Sequence, residues 1–195
     1  MENLVRQLAE SFIETKAFKY DPINRFPLSS GELSPYYFDC KSLLAYPQPR
    51  EIVAKLAYEK IKDLNFSCIG GEEIGAIPLA TAISAYAYAS ESKIQLRTFV
   101  VRKQPKGHGL RNLIEGAAHS DDRALVVDDV LTTGGSICRA VKAAREAGLC
   151  VEYALVVVDR EEHDGRKNVE KEGIKLISIM TIHDILEASR VLAHS

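Results

Sequence analysis

The sequence predicts an α/β fold: a parallel sheet covered by helices on both faces, with a smaller irregular segment near the N-terminus. Three observations predict it. From about residue 48 onward, segments with helical apolar spacing alternate with short apolar runs. Those runs, such as ALVVD at 124–128 and VEYALVVV at 151–158, are nearly continuous, as in strands buried on both faces. Residues 20–46 differ, being rich in Pro, Ser and aromatic residues.

Each element follows in order. Leu4, Leu8, Phe12 and Ile13 share one face of an amphipathic helix over 3–18. Loops and short strands fill 20–46, with Gly31 as a turn. Ile52, Val53, Leu56, Ala57, Ile61 and Leu64 are spaced for a helix, and SCIGG at 67–71 for a strand. Ile77 to Ala89 reads as a buried helix and 94–101 as a strand, followed by a polar, glycine-containing stretch at 102–116. The remainder reads as strand 124–128, helix 135–147, strand 151–158, helix 164–172, strand 175–180 and helix 182–192.

The 195 residues suit one domain, and 46% hydrophobic with 27% charged residues is ordinary for a globular chain. A net charge of −2 excludes a global basic field for nucleic acid or anionic lipid. Cys40, Cys68, Cys138 and Cys150 form no CxxC pair and read as buried thiols of a reducing compartment. The N-terminus lacks a signal-peptide core, and the apolar run Ile77–Ala89 is too short for a bilayer. A cytoplasmic protein with neither membrane nor nucleic-acid partner is expected.

The strand at 124–128 runs into Asp128-Asp129-Val130-Leu131-Thr132-Thr133-Gly134-Gly135-Ser136. In open α/β sheets, ligands bind beyond the carboxyl ends of the strands. Two glycines let the backbone approach a ligand, and the helix that follows points free N–H groups and its positive end outward. Thr132, Thr133 and Ser136 add hydroxyls, making a nest for a phosphate dianion. No GxxxxGK[ST] lysine or GxGxxG pattern is present. Two adjacent acids suit vicinal hydroxyls, so phosphate at one end and diol at the other describe a ribose 5-phosphate.

Residues 102–109, Arg102-Lys103-Gln104-Pro105-Lys106-Gly107-His108-Gly109, read as a mobile cationic loop. Such a loop suits a departing pyrophosphate, whose oxygens gain charge as the bond breaks, and a lid that excludes water.

ALVVDDVLTTGGS resembles the phosphoribosyl-pyrophosphate (PRPP) signature of the type I phosphoribosyltransferases. RKxxKxHG followed by Ile114-Glu115-Gly116 resembles the catalytic loop of the orotate phosphoribosyltransferases. Ser30-Gly31 and Ser34-Pro35-Tyr36-Tyr37-Phe38-Asp39 resemble that family's N-terminal hood, and Asp159-Arg160 agrees. The resemblance implies the type I phosphoribosyltransferase fold as one domain over 1–195, with a hood at about 18–46, a core at about 47–195 and a mobile loop at about 102–116. It implies transfer of 5-phosphoribosyl from PRPP to orotate, giving orotidine 5′-monophosphate and pyrophosphate in pyrimidine biosynthesis. Mg²⁺ would arrive on PRPP rather than on protein ligands, and the loop would reach across a homodimer.

The residues carried over are these. Lys103, Lys106, His108, Asp128 and Asp129 would be catalytic. PRPP would be held by Arg102, Lys103, Lys106, His108, Asp128, Asp129, Val130, Leu131, Thr132, Thr133, Gly134, Gly135 and Ser136. Orotate would meet Thr132, Arg160, Tyr37 and Phe38, with the planar fork of Arg160 suited to its carboxylate and carbonyls. The chain departs from some members in having Ser29 where they have a hood lysine. It also has no lysine between Lys62 and Lys93, so pyrophosphate there would rest on backbone N–H groups of 70–78. A phosphoribosyltransferase for another base, or a non-catalytic PRPP-binding regulator, is the alternative. His119, His163, His183 and His194 show no ligand spacing, Tyr86 and Tyr88 read as packing or dimer contacts, and Glu161, Glu162 and Asp164 read as a solvated turn.

Overall fold

A computed structural model of the chain describes residues 1–23, 25–28, 31–104 and 113–193. Lys106, His108, the glycines beside them, Ser29, Ser30 and His194 lie outside the described residues.

Helix α1 (Glu2–Glu14) buries Leu8, Ala9 and Phe12 on its apolar face. Two small antiparallel pairs follow: β1 (Phe18–Tyr20) with β4 (Tyr36–Phe38), and β2 (Phe26–Pro27) with β3 (Leu33–Ser34). Helix α2 (Cys40–Ala45), missed in the sequence, is capped by Asp39, whose carboxylate accepts from the Ser42 amide at 3.1 Å. Helix α3 (Pro47–Ile61) starts on a proline, five residues earlier than its first apolar marker, Ile52, because Pro fits the first helical turn.

The sheet then builds from β5 (Cys68–Glu72), α4 (Ala76–Ala89), β6 (Arg97–Val101), β7 (Ile114–Gly116), β8 (Arg123–Leu131), α5 (Gly135–Glu146), β9 (Cys150–Asp159), α6 (Gly165–Lys171), β10 (Lys175–Thr181) and α7 (Ile182–Ala193). Strand order is β10-β9-β8-β5-β6-β7, parallel except for the antiparallel edge strand β7. The expected parallel sheet is present. One face packs on α1, α2, α3, α4 and α7 around Phe12, Leu56, Ile83, Leu125 and Leu155. The other packs on α5 and α6 around Phe99, Val126, Ile137, Val141 and Val169.

Several boundaries differ from the sequence reading, and helix α1 stops at Glu14 rather than 18 because β1 begins at Phe18. Strand β6 starts at Arg97 rather than 94, because its register with β5 begins at Cys68↔Arg97. Within the polar stretch 102–116, residues 114–116 pair with β6 as β7. Strand β8 runs three residues past 128, because its pairing with β9 continues to Leu131↔Asp159. The four thiols are free, but Cys150 is exposed and Cys138 only half-buried, which corrects the expectation that all are buried.

The topology makes a crevice. Strand β5 lies between β6, its successor through α4, and β8. Its pairing with β8 ends at Gly70↔Val126, whereas β8 continues along β9 for five more residues. The carboxyl ends of β5 and β8 therefore part where strand order reverses, the switch point at which open α/β sheets bind ligands. Glycine is required on the way in: a Cβ on Gly70 would lie 2.1 Å from Phe99 O, and one on Gly71 2.1 Å from Val127 O.

Candidate active site

The segment after β8 forms the cradle. Leu131 is 1% exposed, so its side chain belongs to the core and cannot touch a ligand. Gly134 takes φ +80°, a left-handed conformation that aims the chain into α5. The first amides of α5 have no intrahelical partner and the helix dipole adds positive potential, so the turn favours an anion. Thr132, Thr133, Gly135 and Ser136 are all half-buried at its rim.

Helix α6 fixes this turn, which sequence reasoning missed. Asn168 Nδ2 donates to Thr133 O at 3.1 Å. A Cβ on Gly165 would lie 2.1 Å from Thr132 O, so only glycine lets α6 press against the turn.

Asp128 and Asp129 stand side by side at the crevice, both half-buried. Asp128 Oδ1 accepts from the Asp129 amide and Asp129 Oδ1 from the Val130 amide, each at 2.9 Å. A Cβ on Gly75 would lie 2.9 Å from Asp129 Cγ, so the loop after β5 leaves room for that carboxylate. Burial, then the neighbouring charge of Asp129, pushes the Asp128 carboxyl up to about 8. Val130 packs against the core from the strand behind.

Across the crevice, Glu72 ends β5 as a nearly buried carboxylate. Arg139 of α5 grips it with two prongs, Nε to Oε1 and Nη2 to Oε2, both at 2.8 Å. Arg139 Nη2 also donates to Ser136 Oγ at 3.2 Å. These hydrogen bonds hold the Glu72 carboxyl below its ordinary range.

The stem of the cationic loop borders the same opening. The Lys103 amide donates to Glu73 Oε1 at 3.0 Å, and the Lys103 side chain is exposed. Arg102 is turned along the stem: Nη1 meets Glu115 Oε1 at 3.1 Å and Nε donates to Gln104 O at 3.2 Å.

Arg160 is not a surface residue. At 4% exposed, it follows β9 and reaches the N-terminal strands. Its Nη2 faces Ser34 Oγ at 2.6 Å, Glu162 Oε2 at 2.7 Å and Tyr36 O at 3.3 Å. The guanidinium lies 5.2 Å from the Phe38 ring centre, and Nε is buried without a partner among the described residues. Glu162 therefore belongs to this cluster rather than to a solvated turn. Tyr37 and Phe38 do not share a face, since neighbours on a strand point to opposite sides. Phe38 lies beneath Arg160, and Tyr37 is exposed beside Phe26 and Lys19.

Of the described histidines, His163 Nδ1 lies 2.9 Å from Glu32 Oε2, His183 Nε2 lies 3.1 Å from Glu161 Oε2, and His119 sits beside Arg97 and Asp122. Tyr86 packs against Tyr58, while Tyr88 is exposed. Among the described residues, no three His, Cys, Asp or Glu side chains converge as a metal site, and no helix is long and apolar enough to cross a membrane.

A family model described as a phosphoribosyl transferase domain matches residues 39–188. The chain is 42% identical to the orotate phosphoribosyltransferase of Aquifex aeolicus over 94% of its own length and 98% of the relative's. It resembles the crystal structure of orotate phosphoribosyltransferase from Aeropyrum pernix with TM-score 0.77 and 31% identity, covering 92% of this chain and 96% of that one. The Mycobacterium tuberculosis orotate phosphoribosyltransferase in complex with PRPP matches with TM-score 0.73 and 31% identity, covering 93% and 98%.

Proposed function

This chain belongs to the orotate phosphoribosyltransferase family, and from that premise we propose how its own residues carry the reaction. It is a pentosyltransferase that moves 5-phosphoribosyl from PRPP to orotate, giving orotidine 5′-monophosphate and pyrophosphate. One observation carries the assignment of parts: two adjacent carboxylates at the end of β8, followed at once by a glycine turn that opens α5.

The amides of 133–136 and the hydroxyls of Thr132, Thr133 and Ser136 receive the 5-phosphate. Asp128 and Asp129 accept from the ribose 2- and 3-hydroxyls and fix the sugar. Pyrophosphate lies towards the loop after β5 and Lys103; Lys106 and His108, outside the described residues, are assigned to it by the sequence motif. As the C1–O bond breaks, its electron pair leaves with pyrophosphate, and a ring nitrogen of orotate forms the new bond to C1 while its N–H proton passes to the departing diphosphate. Lys103 stabilises the leaving charge, and positioning carries much of the rate. Orotate is assigned to Arg160, whose Nη2 is anchored on Ser34 and whose Nε, buried without a partner among the described residues, meets the base once the strands over it part. The 18–46 segment acts as a hood over it, with Thr132 at the base edge. Mg²⁺ would arrive on PRPP rather than on protein ligands, and it would supply charge neutralisation to the diphosphate. Four free thiols support a cytoplasmic setting.

A parallel assay tests the base. Ultraviolet loss of orotate should require PRPP, while uracil, adenine, hypoxanthine and guanine give no turnover. Turnover of another base in place of orotate would refute the assignment of Arg160 to orotate.

The acid pair adds a pH dependence. With the Asp128 carboxyl raised to about 8, it loses charge as pH falls through that value in the free enzyme. PRPP KM is therefore expected to rise as pH drops from 9 towards 7, along a limiting slope near one proton. Asp128→Asn should flatten that slope, and an unchanged slope would exclude Asp128 as its source. The effect on stability has the opposite sense: the folded chain holds a proton the unfolded chain releases between 3.8 and about 8, so this group's contribution weakens as pH rises through that window.

The loop is proposed to serve the partner's site in a homodimer. Mixing Lys103→Ala with Asp128→Asn/Asp129→Asn should then restore activity through hybrid dimers. No recovery after confirmed subunit exchange would mean that each chain holds a complete site.

A further inference from the structure

We propose that Arg139 is a further substrate-binding residue of this site, donating to the 5-phosphate of PRPP while Glu72 holds it in place. The inference rests on the phosphate assignment made above and adds a residue to it. Ser136 and Arg139 lie one helical turn apart on α5, so their side chains share the face turned towards β5. Glu72, 6% exposed, receives both Nε and Nη2 of the guanidinium at 2.8 Å. That two-pronged grip fixes the plane of the fork.

The rest of the guanidinium points at the nest. Nη2 also donates to Ser136 Oγ, and Nη1 lies 3.3 Å from where a Cβ on Gly135 would stand. Nη1 has no partner among the described residues, and the Arg139 side chain is 62% exposed. A phosphate bound at the amides of Gly135 and Ser136 therefore lies beside a held donor. The charge pattern agrees. Glu72, Asp128 and Asp129 bring three carboxylates to a crevice that must accept a polyanion, and Arg139 cancels the one with no sugar hydroxyl to meet. Because Nη2 donates to Ser136 and Nη1 lies beside Gly135, the phosphate it serves is the one at the 5-position rather than the diphosphate.

Three variants test this, R139Q, R139K and E72Q/R139Q, each compared with the wild type by thermal melting and by kinetics with PRPP and orotate. R139Q is expected to raise PRPP KM and the Ki of ribose 5-phosphate by about tenfold or more, the loss of one charge-assisted hydrogen bond. Its orotate KM, kcat and pyrophosphate inhibition should stay within about twofold. E72Q/R139Q should remain as weak as R139Q. Should R139Q melt at assay temperature, R139K, which keeps the charge but not the fork, should show the same loss to a smaller degree. Wild-type PRPP KM in E72Q/R139Q would overturn the proposal, because Arg139 would then only neutralise Glu72. A loss confined to pyrophosphate inhibition, or an unchanged ribose 5-phosphate Ki, would overturn it while the reaction stands. A wild type that does not convert PRPP and orotate would remove the reading beneath it.

Discussion

Replacing Asp128 and Asp129 together by asparagine is expected to lower kcat/KM for PRPP by about a thousandfold. Each carboxylate is assigned a hydrogen bond to a ribose hydroxyl, and a bond to a charged group contributes about 1.5–3 kcal/mol. Two such bonds span roughly a hundredfold to ten-thousandfold, and because the residues touch, their losses need not add. Asparagine preserves shape and still offers an oxygen to the Asp129 and Val130 amides that the carboxylates accept from. Stability should hold or rise, since burial and the neighbouring negative charge oppose ionisation of Asp128. A steady-state comparison at saturating orotate, with a thermal melt alongside, checks both halves. A kcat/KM within tenfold of the wild type would place the sugar elsewhere.

Lys103→Ala is expected to reduce kcat by about a hundredfold while raising PRPP KM by far less. A donor aimed at charge that develops only as the bond breaks is worth about a hundredfold to a thousandfold in kcat. Its loss falls on the transition state rather than the ground state. The structure anchors the backbone of Lys103 on Glu73 and leaves the side chain exposed at the crevice, which suits a group that moves in on the leaving diphosphate. The same substitution should barely alter the melting temperature. If KM rises and kcat is unchanged, Lys103 binds PRPP and takes no part in its cleavage. Arg102, by contrast, is paired to Glu115 along the stem, so its removal should loosen the loop base.

Much of this was legible in the chain because it is local. The alternation of strands and helices, the nest over 132–136 and the two acids before it all lie in continuous sequence. Strand β8 reads short because Asp129 and the residues after it look like a loop, yet pairing with β9 carries the backbone on to Leu131. Partners distant in sequence were not legible. Glu72 and Arg139 are 67 residues apart, Ser34 and Arg160 are 126 apart, and Thr133 and Asn168 are 35 apart. Glu72 meets Arg139 because α5 packs on β5, Thr133 meets Asn168 because α6 packs on the turn, and Ser34 meets Arg160 because β3 docks beyond the end of β9; neither propensity nor spacing encodes those meetings. Tyr37 and Phe38 show a smaller error of the same kind. Their motif drew attention to both, but the two-residue period of β4 sends one towards Arg160 and the other outward. Helix α2 was missed although Asp39 three residues before Ser42 is a start signal visible in the sequence.

Transfer of phosphoribose to orotate in this crevice has a stoichiometric signature. The most direct measurement is the product balance after mixing the enzyme with PRPP, Mg²⁺ and orotate, with chromatographic counting of orotidine 5′-monophosphate and pyrophosphate. One nucleotide formed for each pyrophosphate released, with neither formed when orotate is withheld, is the predicted result. Pyrophosphate released without nucleotide, or no PRPP consumed in the presence of orotate, would contradict the account.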